Sequence, residues 1–392
     1  MPSTDVAKRA AQEAIDEASH DLRALSLDIH GHPELNFEER HAHQVLTDFL
    51  EQRGFAVERS AYGLETAFAA RAGDGAPTLA VLGEYDALPG IGHACGHNLI
   101  AIAAVAAGLG VREALADATG TIVVLGSPAE EGGGGKIDLI ERDAFAGIDA
   151  AMMLHPGMVS GAWPSINALR VVEIEYFGHN AHAGAHPWDG INALDAVVMA
   201  YNGISVLRQQ LPASARVHGI ITAGGDKPNI IPDHTAAEFY VRESDDVRLE
   251  SLQQRVMACF EAAATATGCR LEHRWVGRHY SNLATNDPMA DAYWNNARDL
   301  GRELPGRGAS FAGGSTDMGN VSHVLPTIHP MYAIESEAGN HTVEFAQAAA
   351  TVAAHDETLL AAKALALTAI DLFTDPLLLQ RAKEQFALDH ST

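Results

Sequence analysis

Four short segments carry residues whose types and spacing could do chemistry. Cys95 and His97 stand two apart in His93-Ala94-Cys95-Gly96-His97-Asn98, shortly after Gly83-Glu84-Tyr85-Asp86-Ala87-Leu88-Pro89. In an extended loop, positions i and i+2 point to one side, so a thiolate and an imidazole could serve one metal centre. A buried thiol beside a surface histidine is the plainer reading of that pair alone. Glu130 and Glu131 open the segment Glu130-Glu131-Gly132-Gly133-Gly134-Gly135-Lys136. Adjacent carboxylates can divide labour at a metal, one ligating and the other accepting a proton from the activated water. Taken alone, they equally suit a solvated pair at a helix start. A phosphate-binding loop fits poorly, because Ile137 rather than Ser or Thr follows Lys136 and the leading glycine is missing.

His155 in Leu154-His155-Pro156 and His341 in Asn340-His341-Thr342 each read as structural when taken singly. With Cys95, His97 and Glu131 they complete a mixed set of sulfur, nitrogen and oxygen donors suited to zinc or manganese, with cobalt or nickel as further options. Competing catalytic patterns are weak. The chain has no Gly-x-Ser-x-Gly or His-Glu-x-x-His, and Cys95 stands where a dinucleotide loop starting at Gly90 and Gly92 would need its third glycine. Cys95 as a nucleophile beside His97 stays open as a rival, although it leaves the glutamate pair without a task.

The elements that must position these segments alternate. Apolar residues at helical spacing (Ala14, Leu22, Leu25, Leu27, then Val45, Phe49, Leu50) predict two helices in the first 55 or so residues, separated by Pro33. Strands are expected at 78–83, 121–126 and 150–154, and helices at 99–115 and 136–145. The first three chemical segments therefore follow strands, where open α/β sheets place their ligands. From about 170 the order becomes strand 170–177, helix 191–211, strands 217–223 and 236–243, helix 247–267 and strand 271–276. One sheet under two helices is the compact form of that order. A helix from about Asp287, a glycine-rich loop, a strand near 326–334 and an alanine-rich helix from Thr342 complete the chain.

A chain of 392 residues exceeds one ordinary core, so two domains are expected. A hydrophobic share of 47% suffices to fill both. The formal charge of −25 argues against nucleic acid and anionic membranes as partners. Three cysteines are too few for a disulfide framework, and no signal-like segment opens the sequence, so a reducing, cytoplasmic setting is expected. The longest apolar run, 99–109, is too short for a bilayer.

In this order the segments, from His32-Pro33-Glu34-Leu35 to His341-Thr342, make the chain resemble the M20 metallopeptidases, in the branch of N-acyl-amino-acid hydrolases, aminobenzoyl-glutamate hydrolases and related dipeptidases. The resemblance implies an α/β catalytic domain with helices on both faces, made from 1–168 and 282–392, and an inserted α+β, ferredoxin-like lid and dimerisation domain at 169–281. It implies two divalent ions held by Cys95, His97, Glu131, His155 and His341, with Glu130 as general base and Asp86 supporting the site. His182, in Gly178-His179-Asn180-Ala181-His182, is implied as the oxyanion donor reached across a homodimer, with His179 and His186 as alternatives. Asn229 and Arg242 are similar to residues that grip the substrate carboxylate in relatives, though a strand-end salt bridge would also explain Arg242. The expected substrate is a small N-acyl amino acid or a dipeptide; a binding module with the same fold is the rival from outside enzymology. One departure is the segment 313–322, whose Ser315, Thr316 and Asp317 could line the pocket floor or cap a helix.

Overall fold

The computed structural model describes residues 3–115, 119–308 and 313–391. They divide into two compact units, one from 1–165, 283–312 and 317–392, the other from 166–282 and 313–316.

The first unit is built on a six-stranded sheet in the order Ala56–Arg59, Phe68–Asp74, Gly120–Ser127, Thr78–Glu84, Ala150–Met152, Thr327–Ile328. The last four run parallel, while the first two pair antiparallel at the edge. Thr78–Glu84 is an almost unbroken apolar run, buried from Leu79 to Glu84, as a central parallel strand covered on both faces must be. Its alternate residues feed two cores. Leu79 and Val81 face the helices Thr4–Gly31, Arg40–Gln52, His97–Ala114 and Val352–Thr374, whereas Ala80 and Leu82 pack with Leu139, Phe145, Met318 and Val321. The helix His97–Ala114 is buried along almost its whole length, and its small side chains let neighbours approach closely. A Cβ on Gly108 would stand 2.3 Å from Val124.

The second unit carries a four-stranded antiparallel sheet, ordered Arg270–Tyr280, Ala168–Phe177, His234–Glu243, Arg216–Ala223, under the helices Ala193–Leu207 and Asp246–Thr267. His234–Glu243 alternates strictly between buried and half-buried residues, so one face meets the helices through Phe239 and Val241. Asn192 and Asp245 cap the two helices by accepting from Leu194 N and Asp195 N, and from Arg248 N.

Several expectations shift. The helix expected over 191–211 ends at Leu207, and that expected over 136–145 stops at Glu141. The strand expected near 326–334 is two short strands in different sheets, Thr327–Ile328 and Met331–Ala333; the latter pairs with His155–Gly157. The alanine-rich helix breaks after Val343–Ala348, because Thr351 caps a new start at Ala354 N. The strands Ala56–Arg59 and Phe68–Asp74 and the final helix Pro376–Asp389 were not anticipated. Among the described residues, no helix is long and apolar enough to cross a membrane.

Candidate active site

Strand ends deliver the chemistry. Thr78–Glu84, Gly120–Ser127 and Ala150–Met152 run parallel and release the segments bearing Asp86, Glu130 with Glu131, and His155 from the same edge of the sheet. Gly96, at φ +79°, turns the chain into the helix that starts at His97; a Cβ there would lie 2.7 Å from Pro156, beside His155. His341 arrives from 186 residues further along the chain and is docked by its own N–H, which donates to Ala94 O at 2.8 Å.

The five expected donors converge as two overlapping triads. One donor atom each from Cys95, His97 and His155 lies within 4.8 Å of the others, and the same holds for Cys95, Glu131 and His341. Cys95 belongs to both. Its Sγ is 3.5 Å from His155 Nε2, while Glu131 Oε1 is 3.3 Å from His341 Nε2 and 3.9 Å from His97 Nε2. The supporting contacts aim these atoms. His155 Nδ1–H donates to Pro156 O at 2.7 Å, which leaves Nε2 as the ligating nitrogen. Asp86 Oδ1 lies 3.1 Å from His97 Nδ1, and Oδ2 accepts the Glu131 N–H at 2.9 Å, so one carboxylate sets the ring and the loop together.

The electrostatics are those of a site built for cations. Burial opposes charge on Cys95, yet His155 and His97 outweigh it and hold the thiol well below its ordinary range. Burial likewise opposes charge on His97, but Asp86 and Cys95 raise it well above an ordinary imidazole. Hydrogen bonds to Cys95 and Glu131 push His341 up to about 10. Burial, followed by the charges of Glu84 and Glu131, drives Glu130 well above the usual carboxylate range. His97 Nε2 and Glu84 Oε2 are buried 3.5 Å apart without hydrogen bonds. Leaving such atoms unpaired costs about 1–3 kcal/mol each. Divalent cations would satisfy them, and the thiolate, imidazole and carboxylate donors fit zinc-class ions.

The sequence reading missed Glu84 and Lys136. Lys136 Nζ, fully buried, pairs with Glu84 Oε1 and, at 2.7 Å, with Asp317 Oδ1; its N–H donates to Asp317 Oδ2 at 2.9 Å. Asp317 therefore neither lines a pocket floor nor caps the short helix it precedes, since the buried ammonium claims its carboxylate. Ser315 instead accepts from Arg242. Glu84 also forms a third close grouping with His97 and Glu130. A lysine in a glycine-rich stretch between apolar elements was the available signal, because a buried ammonium must recruit carboxylates.

His182, Asn229 and Arg242 belong to the second unit. The segments around His182 and Asn229 pair through an antiparallel bridge of His182 with Ile230, with Ala183 N donating to Asn229 O at 3.0 Å. His182 is exposed, and its Nδ1 accepts the Gly184 N–H at 3.2 Å, so the ring proton sits on Nε2. His179 makes a backbone bridge to Ile191, and His186 precedes a single 3-10 turn. Arg242, half-buried on its strand, forms no ion pair among the described residues; its guanidinium donates to Ser315 Oγ at 3.2 Å while Nε has no partner.

Comparison with known proteins supplies a context for this geometry. The family described as peptidase family M20/M25/M40 matches residues 80–364. A Mus musculus protein named Xaa-Arg dipeptidase is 46% identical over 97% of this chain and 92% of its own length. One of the p-aminobenzoyl-glutamate hydrolase polypeptides of Escherichia coli is 29% identical over 96% of this chain and 94% of its own. A solved Bacillus subtilis structure, described as a dinuclear metal binding peptidase from the M20 family, superposes with a TM-score of 0.73 at 20% identity, covering 91% of this chain and 99% of that one.

Proposed function

The chain belongs to peptidase family M20/M25/M40 and is a metal-dependent hydrolase of linear amide bonds; on that premise we propose that it is a dipeptidase favouring arginine as the carboxy-terminal residue. The convergence of four donors on Cys95, with Glu130 buried beside them, carries the hydrolytic reading. The 46% identity to an Xaa-Arg dipeptidase over nearly the whole chain supports the substrate. A formal charge of −25 also favours the approach of a cationic dipeptide.

In this reading Cys95, His97 and His155 would hold one ion, and Cys95, Glu131 and His341 would hold the other. The ions would supply a water of lowered pKa and polarise the scissile carbonyl. Glu130 takes the proton of the attacking water and passes it to the departing amine. Asp86 keeps His97 in register. The His182 Nε2–H donates to the oxygen that gains charge. Arg242, which forms no ion pair among the described residues, would pair with the substrate carboxylate beside Asn229. The three cysteines form no disulfide, which fits a cytoplasmic setting.

Exposed Val198, Met199 and Val206 on a helix of the second unit, and Ile220 and Ile221 on its edge strand, support a homodimer through that unit. His182 would then act in the neighbouring copy. Mixing the inactive variants His182→Ala and Glu130→Gln under subunit exchange should restore roughly a quarter of wild-type activity, since half the dimers are mixed and each has one intact site. Mixtures as inactive as either parent would place His182 in its own subunit's site.

Amine release from Xaa-Arg and Xaa-Leu dipeptides, N-acetyl amino acids and p-aminobenzoyl-glutamate, each with zinc or manganese and with a chelator, tests the function. Chelation should abolish release. We expect kcat/KM for arginine dipeptides to exceed that for leucine dipeptides by more than about tenfold, the worth of one hydrogen bond to a charge. Faster release from N-acetyl amino acids would turn the reading to an aminoacylase.

A further inference from the structure

The geometry points to an additional divalent-cation site, separate from the two catalytic triads, made by Asp28, His32 and His41. We propose that it takes a zinc-class ion and fastens the segment that braces the catalytic loops. One donor atom from each of the three residues lies within 4.8 Å of the others. They come from three points that the fold brings together: the last turn of the helix Thr4–Gly31, the residue that ends it, and the first turn of Arg40–Gln52. Asp28 Oδ1 is 3.1 Å from His32 Nδ1, whose N–H donates to Asp28 O at 2.8 Å and so leaves Nε2 as the ligating nitrogen, and Asp28 Oδ2 is 3.2 Å from His41 Nε2. The two rings lie 4.2 Å apart between centroids.

Three features favour a cation over a simple polar cluster. His41 Nε2 is shielded from solvent yet makes no hydrogen bond, so one donor is unspent. Asp28 and His32 sit at the carboxyl end of Thr4–Gly31, where the backbone dipole presents negative potential, and only His41 stands in the first turn of the next helix. Two imidazoles and one carboxylate suit zinc, copper or nickel rather than magnesium or calcium. Asp28 and His32 remain open to solvent, which leaves room for water to complete the coordination.

The position gives the ion a consequence. Between His32 and His41 runs the segment that braces the catalytic loops. Glu34 O accepts the Ala87 N–H at 2.8 Å, Asn36 Nδ2 donates to Glu131 O at 2.6 Å, and Glu39 Oε1 accepts the Ala129 N–H at 2.8 Å. The Glu34 carboxylate accepts from His41 N at 2.9 Å and Ala42 N at 3.0 Å. An ion joining Asp28 and His32 to His41 would staple both ends of this segment.

The test titrates zinc into holoenzyme dialysed free of loosely held metal, following heat release and elemental content, for wild type, His32→Ala, His41→Ala and Asp28→Asn. Wild type should take up one equivalent more than the dialysed enzyme holds. Each variant should weaken that uptake by more than about tenfold, since even outer partners of ligands are worth as much, while the metal surviving dialysis is unchanged. The same zinc should raise the melting temperature of wild type and not of the variants. Asp28→Asn preserves shape and secures the result against misfolding of the alanine variants. Absence of the extra equivalent in wild type, or its retention at unchanged affinity in all three variants, overturns the proposal.

Discussion

Glu130→Gln should lower kcat by about a hundred- to ten-thousand-fold, the range that positioned proton transfer contributes, while bound metal stays at the wild-type level. The substitution keeps the shape of a buried side chain and removes only its capacity to take a proton. Burial and the charges of Glu84 and Glu131 already make Glu130 hold protons more tightly than an ordinary carboxylate, as a group that must accept one from water requires. Glu130 also lies within ligating reach of His97 and Glu84. Metal analysis therefore decides between two roles: loss of an ion with activity would make Glu130 a ligand, and unchanged turnover would remove it from the chemistry.

Lys136→Met should destabilise the fold by about 3–5 kcal/mol, the cost of leaving buried charges without their counterion, measured by urea unfolding at pH 8. Glu84 and Asp317 are fully buried and share the one ammonium. Burial already pushes Asp317 up to about 6, against the pull of Lys136, and removing the lysine can only raise it further. A carboxylate whose folded pKa exceeds its unfolded one destabilises the protein above the unfolded value and not below it. The deficit of the variant relative to wild type should accordingly shrink as pH falls from 8 towards about 6, below which Asp317 holds its proton in both folded proteins. A loss independent of pH would assign it to packing instead.

Much of the site was legible because metal donors are chemically distinctive and strand ends are where they gather. Cys95, His97, Glu131, His155 and His341 could be gathered by residue type, the first four also by position after strands, and the resemblance made them a ligand set; the structure brings all five together. The two-layer order of the second unit was legible too, since His234–Glu243 alternates and its flanking helices keep helical spacing. The network beneath the donors was hidden. Nothing local in Gly83-Glu84-Tyr85 or Gly135-Lys136 announces that these side chains meet, because the contact spans 52 residues to Glu84 and 181 to Asp317. The edge strands were hidden for another reason: Ala56–Arg59 is mostly exposed, so burial imposes no pattern on its sequence. The break after Ala348 rests on one threonine hydroxyl, a signal easily lost in a run of alanines.

The docking of His341 beside Ala94 also sets a clock on the ribosome. A growing chain carries Cys95, His97, Glu131 and His155 by residue 155, but the histidine that shares Glu131 is made 186 residues later. At ordinary elongation rates that interval is about 10–40 s. During it the second unit can be made and packed by itself, and the nascent polypeptide holds only an unfinished metal cradle. On the proposed ligand set, hydrolytic competence would be deferred until the C-terminal quarter has threaded back onto the sheet, and truncated products ending before His341 would be born inert.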